Sequence, residues 1–516
     1  MSEISKLQKA VQASILAGYQ LDSEAFAYLS SMAPTQDPTE IINRALLEIQ
    51  ELAEKPMFIE RQFLEKFQPH EKQKQKTTPQ PEETTQETTK STPEGTSIFQ
   101  PYAKEVESQI KIIDDPTDKI SSNGTIEDYI QYFQDRFKRL EKLLRQRIDV
   151  KAATPISEAL KSQPKTKLKI IGMITEKREA KQNTILTVED LQTTATVLVS
   201  RNAKEELHKK TQTLLVDQVV CLSVMKTRSR LFLAEDIILP EVGQKIQHKA
   251  TEPVYAVLTS DMHAGSLKFN KEAFKKFIQW LNGKYGSDKS KEIAGHIKYI
   301  IIAGDIVDGV GVYPGQAKEL RYRDVHNQYL LASRLLERIP EYIEIIITPG
   351  NHDATRKALP QPAISEDFLK TVQGTRKICS LGDPAVVSMH GVEVLIDHGR
   401  SLDDVIASVP GLSYDHPEKA MKVLLQGRHL APFYGGKTLV SPESRDYLTI
   451  DHTPDIFHAG HVHVVGYCNY RGVLIVNSGA WQDQTEYMQK MGVMPTPGRV
   501  PLINLQTLEI NIVPFA

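Results

Sequence analysis

Apolar residues near the start of the chain recur at helical spacing, as in Ile4, Leu7, Val11, Ile15 and Leu16, and again in Ile41, Ile42, Ala45, Leu46, Ile49 and Leu52. Spacings of three and four put such residues on one helix face, which predicts a small helical module over 1–70. Asp22, and Asp37 followed by Pro38, stand where helices begin, Asp as a cap and Pro in the first turn. The pattern stops over 68–97, where Lys, Gln, Thr, Glu and Pro leave almost nothing apolar to bury. Such a stretch cannot offset the entropy of ordering, so 71–100 is expected to be a disordered linker. Helical spacing resumes over 126–150 with Tyr129, Ile130, Phe133, Phe137, Leu140, Leu143 and Leu144. This predicts a helical connector over 101–164, whose Lys- and Arg-rich face reads as a solvated surface in preference to a phosphate contact.

Beyond it the period changes. Short β-type runs at 168–174, 184–190, 194–199, 218–224 and 231–238, with a helical stretch at 203–210 before the fourth, predict an OB-like β-barrel over 165–245. OB barrels bind single strands through stacked aromatics and basic grooves. Phe232 is the only aromatic in these runs, so a scaffolding barrel is expected. Over 246–516, apolar strands end at polar clusters and alternate with helical stretches: 254–259 leads to Ser260-Asp261, 299–303 to Gly304-Asp305, 343–347 to Pro349-Gly350-Asn351, and 392–396 to Asp397-His398. That rhythm predicts a layered α/β domain with its site at the carboxyl ends of the strands. The fold class is therefore multidomain α/β: a small N-terminal helical domain, a barrel and a C-terminal layered domain.

A length of 516 residues fits about three domains of ~100–200 residues. No apolar run reaches the ~18–20 residues of a membrane span, and Met1-Ser2-Glu3-Ile4-Ser5-Lys6 lacks a signal-peptide pattern, so a cytoplasmic protein with no membrane partner is expected. Cys221, Cys379 and Cys468 are too scattered for a disulfide framework or a thiolate zinc site and read as buried small hydrophobes. The net charge of -2 excludes a globally basic nucleic-acid binder while leaving a local basic groove open.

Five clusters carry candidate chemistry: Asp261-Met262-His263, Gly304-Asp305-Ile306-Val307-Asp308, Gly350-Asn351-His352-Asp353, Asp397-His398-Gly399 and Gly460-His461-Val462-His463. Any one alone is an ordinary turn. Together they mix hard oxygen donors with imidazoles, a set suited to Mn²⁺, Fe²⁺, Zn²⁺ or Mg²⁺. Two such ions ~3.5–4 Å apart activate water and neutralise phosphate oxygens.

The order DxH, GDxxD, GNHD, H and GHxH resembles that of the calcineurin-like metallophosphoesterase superfamily. With the barrel, the tethered helical module and the stretch 304–315, the chain resembles the small subunits of archaeal family D DNA polymerases. The resemblance implies that Asp261, His263 and His463 hold a first metal, that Asp305 bridges, and that Asn351, His398 and His461 hold a second. It implies two divalent ions, Mn²⁺ foremost, and attack by a metal-bound hydroxide with no covalent intermediate. His352 is the implied catalytic histidine, protonating the leaving oxygen, and Asp308 would orient it. The implied activity is a proofreading 3′→5′ exonuclease on DNA 3′ ends and single strands. The implied partner is a large catalytic subunit, in a heterodimer or larger assembly that reaches the sliding clamp as a holoenzyme. No nucleotidyl-transfer motif is visible in this chain, so synthesis is expected to come from that partner. The rival reading is a non-catalytic scaffold, the state of eukaryotic accessory subunits that resemble this pair of domains but have lost the ligands. A phosphatase or cyclic-nucleotide phosphodiesterase is a third, against which the barrel and helical module weigh. Of the remaining candidates, Arg321, Tyr322 and Arg323 read as solvated surface, Arg400 stands open as a phosphate contact, and 433–437 is a turn that faces either substrate or solvent.

Overall fold

The structure, a computed structural model, describes residues 3–17, 19–21, 23–32, 37–51, 58–59, 61–67, 99–227, 230–373, 376 and 378–516. Two units divide the chain: Met1–Tyr102 with Gln279–Gly295, and Ala103–Ile278 with His296–Ala516. In the first, helices Glu3–Leu16, Ser23–Met32, Pro38–Glu51 and Arg61–Glu65 accompany a parallel pair, β1 (Gln20–Leu21) and β2 (Phe58–Ile59). Ile41, Ile42, Ala45, Leu46 and Ile49 are buried with Ala10, Leu29 and Leu64, the face that the spacing marks. Asp37 takes the main-chain N–H of Thr39 at 3.0 Å, and Pro38 opens the helix. Asp22, Leu52 and the linker expected after residue 70, as far as 98, lie outside the described residues.

The second unit departs from a purely helical connector over 101–164. β3 (Ile110–Asp114) comes first, because three of the four residues Ile110-Lys111-Ile112-Ile113 are β-branched, and helical spacing begins only at Ile126, behind a Thr125–Asp128 capping box. Helix Ile126–Arg145 packs Phe137, Leu140 and Leu144 against Ile171, Met173, Val219 and Cys221 of the barrel. Its basic residues are not all solvated: Arg136 is fully buried and ion-paired with Asp446 at 2.8 Å.

β4 (Lys167–Ala180), β5 (Asn183–Glu189), β6 (Thr194–Val199), β7 (Val219–Lys226) and β8 (Leu231–Ile238) close a five-stranded barrel in the order β4-β5-β6-β8-β7. Helix Glu205–Gln212 lies between β6 and β7. Inward positions alternate, filling the barrel with Ile170, Leu186, Val188, Val197, Leu222 and Phe232. Phe232 is fully buried there, so its ring cannot stack on a base.

The remaining strands are β9 (Tyr255–Thr259), β10 (Ile297–Ala303), β11 (Glu344–Thr348), β12 (Ile378–Ser380), β13 (Ala385–Met389), β14 (Val392–Ile396), β15 (Ile456–Ala459), β16 (Gly466–Tyr470), β17 (Val473–Asn477), β18 (Arg499–Asn504) and β19 (Ile510–Pro514). They form two six-stranded sheets, β12-β11-β10-β9-β18-β19 and β16-β17-β15-β14-β13-β3. Val394, Ile396, Ile456 and Val476 of the second sheet share one buried cluster with Leu258, Ile301 and Ile346 of the first. The alternate residues Leu395, Phe457 and Ile475 turn away, onto Met421 and Leu424 of helix Pro417–Gly427. Burial on both faces is why these strands read as unbroken apolar runs. Among the described residues, no helix is long and apolar enough to cross a membrane.

Candidate metal centre

Every sequence-predicted cluster leaves the carboxyl end of a strand: Asp261 and His263 follow β9, Asp305 follows β10, Asn351 and His352 follow β11, His398 follows β14, and His461 and His463 follow β15. Parallel pairing of β9 with β10 and of β10 with β11, and of β14 with β15, puts those ends side by side within each sheet. The chain turns abruptly there. Asp261, His263, Asp305, His461 and His463 all adopt left-handed φ values, between 48° and 68°. Each such non-glycine residue stores of order 1–3 kcal/mol of backbone strain, and the cluster of five marks a place where geometry outranks propensity. Gly350 is needed because a Cβ there would strike the Asp305 carboxylate, and Gly304 because one would meet the His398 ring.

The ligand atoms of Asp261, His263 and His463 lie within 4.8 Å of one another, as do those of Asp305, His398 and His461. Asp305 sits between the groups, its Oδ2 3.3 Å from His398 Nε2 and 3.8 Å from both His263 Nε2 and His352 Nε2. Asn351 Oδ1 approaches His398 Nε2 at 3.1 Å.

Hydrogen bonds fix which ring nitrogen faces the cleft. His263 Nδ1 donates to the Asp308 carboxylate at 3.0 Å, His398 Nδ1 to the Ala303 carbonyl at 2.8 Å, and His352 Nδ1 to the Asp308 carbonyl at 2.6 Å. Since those partners are acceptors, each neutral ring presents a bare Nε2 to the others. The carboxylates are divided likewise. Asp261 Oδ2 accepts from the His461 main chain at 2.9 Å and from the Ser260 hydroxyl, and Asp305 Oδ1 accepts from the His352 main chain at 2.8 Å. Asp261 Oδ1 is left buried with no hydrogen-bond partner, 3.2 Å from His463 Nε2. Imidazole nitrogens around a buried carboxylate oxygen that lacks a hydrogen-bond partner are a donor set that fits a divalent cation.

The same carboxylates that suit a cation also favour a proton on the ring nitrogens that face them. Burial disfavours charge on His263 and His398, yet the surrounding carboxylates outweigh it and lift both to about 10. For His352 burial prevails and pushes the ring down to about 4, and burial prevails for His463 as well. The carboxylates thus favour positive charge on His263 and His398 in particular.

The role expected of Asp308 is redistributed: its carboxylate holds His263, and its main-chain carbonyl holds His352. Three residues complete the frame: Asp353, named in its cluster without a role, and two glutamines that no motif contains. Gln482 donates to Asp308 Oδ1 at 2.9 Å, and Gln316 donates to its Oδ2 at 3.3 Å and its carbonyl at 2.7 Å. Asp353 takes the main-chain N–H of Gly350 and the hydroxyl of Tyr329, each at 2.9 Å, and the main-chain N–H of Ile306 at 3.3 Å, which pins the β11 loop to the β10 loop. Burial and then the Asp305 charge push Asp353 up to about 6. Asp353 closes the GNHD motif, whereas neither glutamine carries a signal in sequence.

The cluster opens into a cleft of about 290 Å³, lined by Asn351, His352, Arg400, Lys437 and Tyr487 among others. Arg400 is therefore at the site. The 433–437 turn is split, with Lys437 in the cleft and Tyr434 packed edge-on against Tyr129 and Phe133. Arg321, Tyr322 and Arg323 are exposed and do not line it.

Comparison with known proteins follows the same residues. Positions 256–464 match the family of B subunits of DNA polymerases alpha and epsilon. The DNA polymerase II small subunit of Archaeoglobus fulgidus is 41% identical over 76% of this chain and 78% of its own length. That of Methanothermobacter thermautotrophicus is 40% identical over 78% of this chain and 82% of its own. That of Halobacterium salinarum is 36% identical over 79% and 78%. With identities of this size over most of both chains, the protein belongs to the DNA polymerase II small-subunit family.

Proposed function

We propose that this chain is the nucleolytic subunit of a two-subunit archaeal DNA polymerase, removing nucleotides 3′→5′ through a calcineurin-like phosphoesterase centre, with the closed barrel an OB-like scaffold. The observation that carries the reading is the Asp305 carboxylate set between two groups of bare imidazoles beside the unsatisfied Asp261 oxygen. A pure scaffold has no use for five strained residues and a buried, unpaired carboxylate oxygen.

Asp261, His263, His463 and Asp305 would hold one divalent ion, and Asp305, Asn351, His398 and His461 the other, with Mn²⁺ the first choice. When bound, the ions supply Lewis acidity and lower the pKa of water. The chain's own groups do the rest. His352, its Nδ1 committed to the Asp308 carbonyl, turns Nε2 toward the cleft, where it can hold a proton against the leaving oxygen. An anionic phosphodiester nearby favours the protonated ring against the burial that opposes it. Arg400 and Lys437 bring positive charge to the backbone of the strand. Synthesis belongs to a large catalytic subunit, through which the assembly meets DNA and the sliding clamp.

The test is digestion of end-labelled oligonucleotides with Mn²⁺ or Mg²⁺. A 5′ label should give a ladder of shortening products and a 3′ label immediate mononucleotide. Asp305→Ala should abolish both and His352→Ala should slow both by at least about 100-fold, and full activity in both variants sinks the proposal.

A further inference from the structure

Two tyrosines form part of the cleft wall beside the ligand cluster. The rings of Tyr313 and Tyr487 lie 5.3 Å apart, inclined by 31°, and the Tyr313 ring is 6.2 Å from that of His352. The Tyr313 hydroxyl donates to Glu319 Oε2 at 2.9 Å, and the other oxygen of Glu319 accepts the main-chain N–H of Glu486 at 3.1 Å. The loop bearing Tyr313 and the helix Glu486–Met491 bearing Tyr487 are thereby tied into one wall. Packing accounts for Tyr313. It does not account for Tyr487, which is 45% exposed, with Met491 of the same helix also exposed and lining the cleft. A large ring left half in water beside bare imidazoles and the cations of Arg400 and Lys437 is a recognition surface.

We infer that Tyr487, backed by Tyr313, is a nucleobase platform on which the terminal base of a polynucleotide stacks while its phosphate faces His352. The inference rests on the nucleolytic reading and narrows its substrate to an end whose last base is unpaired. A base inside a duplex has both faces covered by its neighbours, whereas an end offers one, and only an unpaired last base is free to turn that face onto the ring. A phosphoprotein or a simple phosphomonoester brings no planar face to meet the ring.

The experiment uses the full chain in Mn²⁺ and a single-stranded oligonucleotide ending in 2-aminopurine, with a methylene group in place of the bridging 3′ oxygen of its last linkage so that there is no leaving oxygen to cleave. Stacking quenches the fluorescence, so the readout does not depend on turnover. The wild-type chain should quench it, Tyr487→Ala should lose the quench and bind at least about tenfold more weakly, and Tyr487→Phe should keep both. An oligonucleotide lacking the terminal base should bind wild type and Tyr487→Ala alike. Equal affinity of wild type and Tyr487→Ala for the base-bearing end, or a quench that survives in Tyr487→Ala, overturns the platform. Cleavage of the unmodified oligonucleotide is scored separately. A wild-type chain that cleaves without quenching sinks only the platform, and one that quenches without cleaving sinks only the nucleolytic reading.

Discussion

The Asp308 carboxylate holds His263 Nδ1 at 3.0 Å, while the main-chain carbonyl of Asp308 holds His352 Nδ1 at 2.6 Å. One residue thus serves two histidines through two different groups, and substitution separates them. Gln482 and Gln316 donate to the same carboxylate. An Asn at 308 would turn an N–H₂ toward one of these donors, yet it leaves the carbonyl in place. Asp308→Asn should weaken cation affinity by about 10–100-fold, the usual effect of losing a partner behind a ligating histidine. His352→Ala should keep cation affinity and reduce turnover by about 10²–10⁴-fold. Calorimetric titration of Mn²⁺ into stripped protein, beside single-turnover cleavage, checks both. Cation loss in His352→Ala contradicts the division of roles.

Gly350→Ala tests the crowding around Asp305. The added methyl meets the Asp305 carboxylate and its main-chain nitrogen, the latter at 2.6 Å, and neither can yield without moving the residue between the two ligand groups. Overpacking of this kind destabilises by about 1–3 kcal/mol. The larger effect should be on metal content, falling from about two equivalents toward none by elemental analysis, with an unchanged far-ultraviolet spectrum. Two retained equivalents would show that Asp305 tolerates displacement.

The strand ends were legible because chemistry and period coincide in the sequence. An apolar run followed by Gly304-Asp305 or Gly350-Asn351-His352 announces both a strand and what lies beyond it. The barrel was legible for the same reason, its five runs being short and bounded by turns. What stayed hidden depends on contacts far apart along the chain. Gln482 reaches Asp308 across 174 positions, and glutamine has no spacing signature to betray it. Asp308 sits in a motif, but no motif says whether a histidine is held by a side chain or a main chain. β3 was missed because its residues pair with β13, far downstream in the chain, a tertiary decision that outranks the helical context around it.

Cys221 offers a check on the barrel. Its thiol is fully buried between helix Ile126–Arg145 and the barrel wall, and burial pushes it up to about 12. The thiolate is the reactive form, so iodoacetamide at about pH 8 should leave Cys221 unlabelled in the native protein and label it after denaturation. Peptide mass spectrometry reads the result, and rapid native labelling would mean that the helix lifts from the barrel.

Arg136 carries the last prediction. Its guanidinium is fully buried and donates to Asp446 Oδ2 at 2.8 Å, to the Pro432 carbonyl at 2.8 Å and to the Tyr132 hydroxyl at 2.7 Å, joining the helix beside the barrel to the segment that follows helix Pro417–Gly427. His429 completes the group: its Nδ1 accepts the Ala431 N–H at 3.1 Å, so the ring is neutral and its Nε2–H donates to Asp446 at 2.7 Å. Burial alone would raise the Asp446 carboxyl, but His429 and Arg136 hold it well below the usual carboxylate range. A folded pKa below the unfolded value of about 3.9 contributes stability that is complete above that value and is lost as pH falls through the folded one. Asp446→Asn leaves a buried guanidinium without its counter-charge and should destabilise by about 3–5 kcal/mol at neutral pH. It should also flatten the acid limb below about pH 4, because no carboxylate remains there to be protonated. Denaturant unfolding from about pH 3 to about pH 8 measures both effects, and a variant that unfolds at wild-type denaturant with an unchanged acid limb would show that the pair adds no stability.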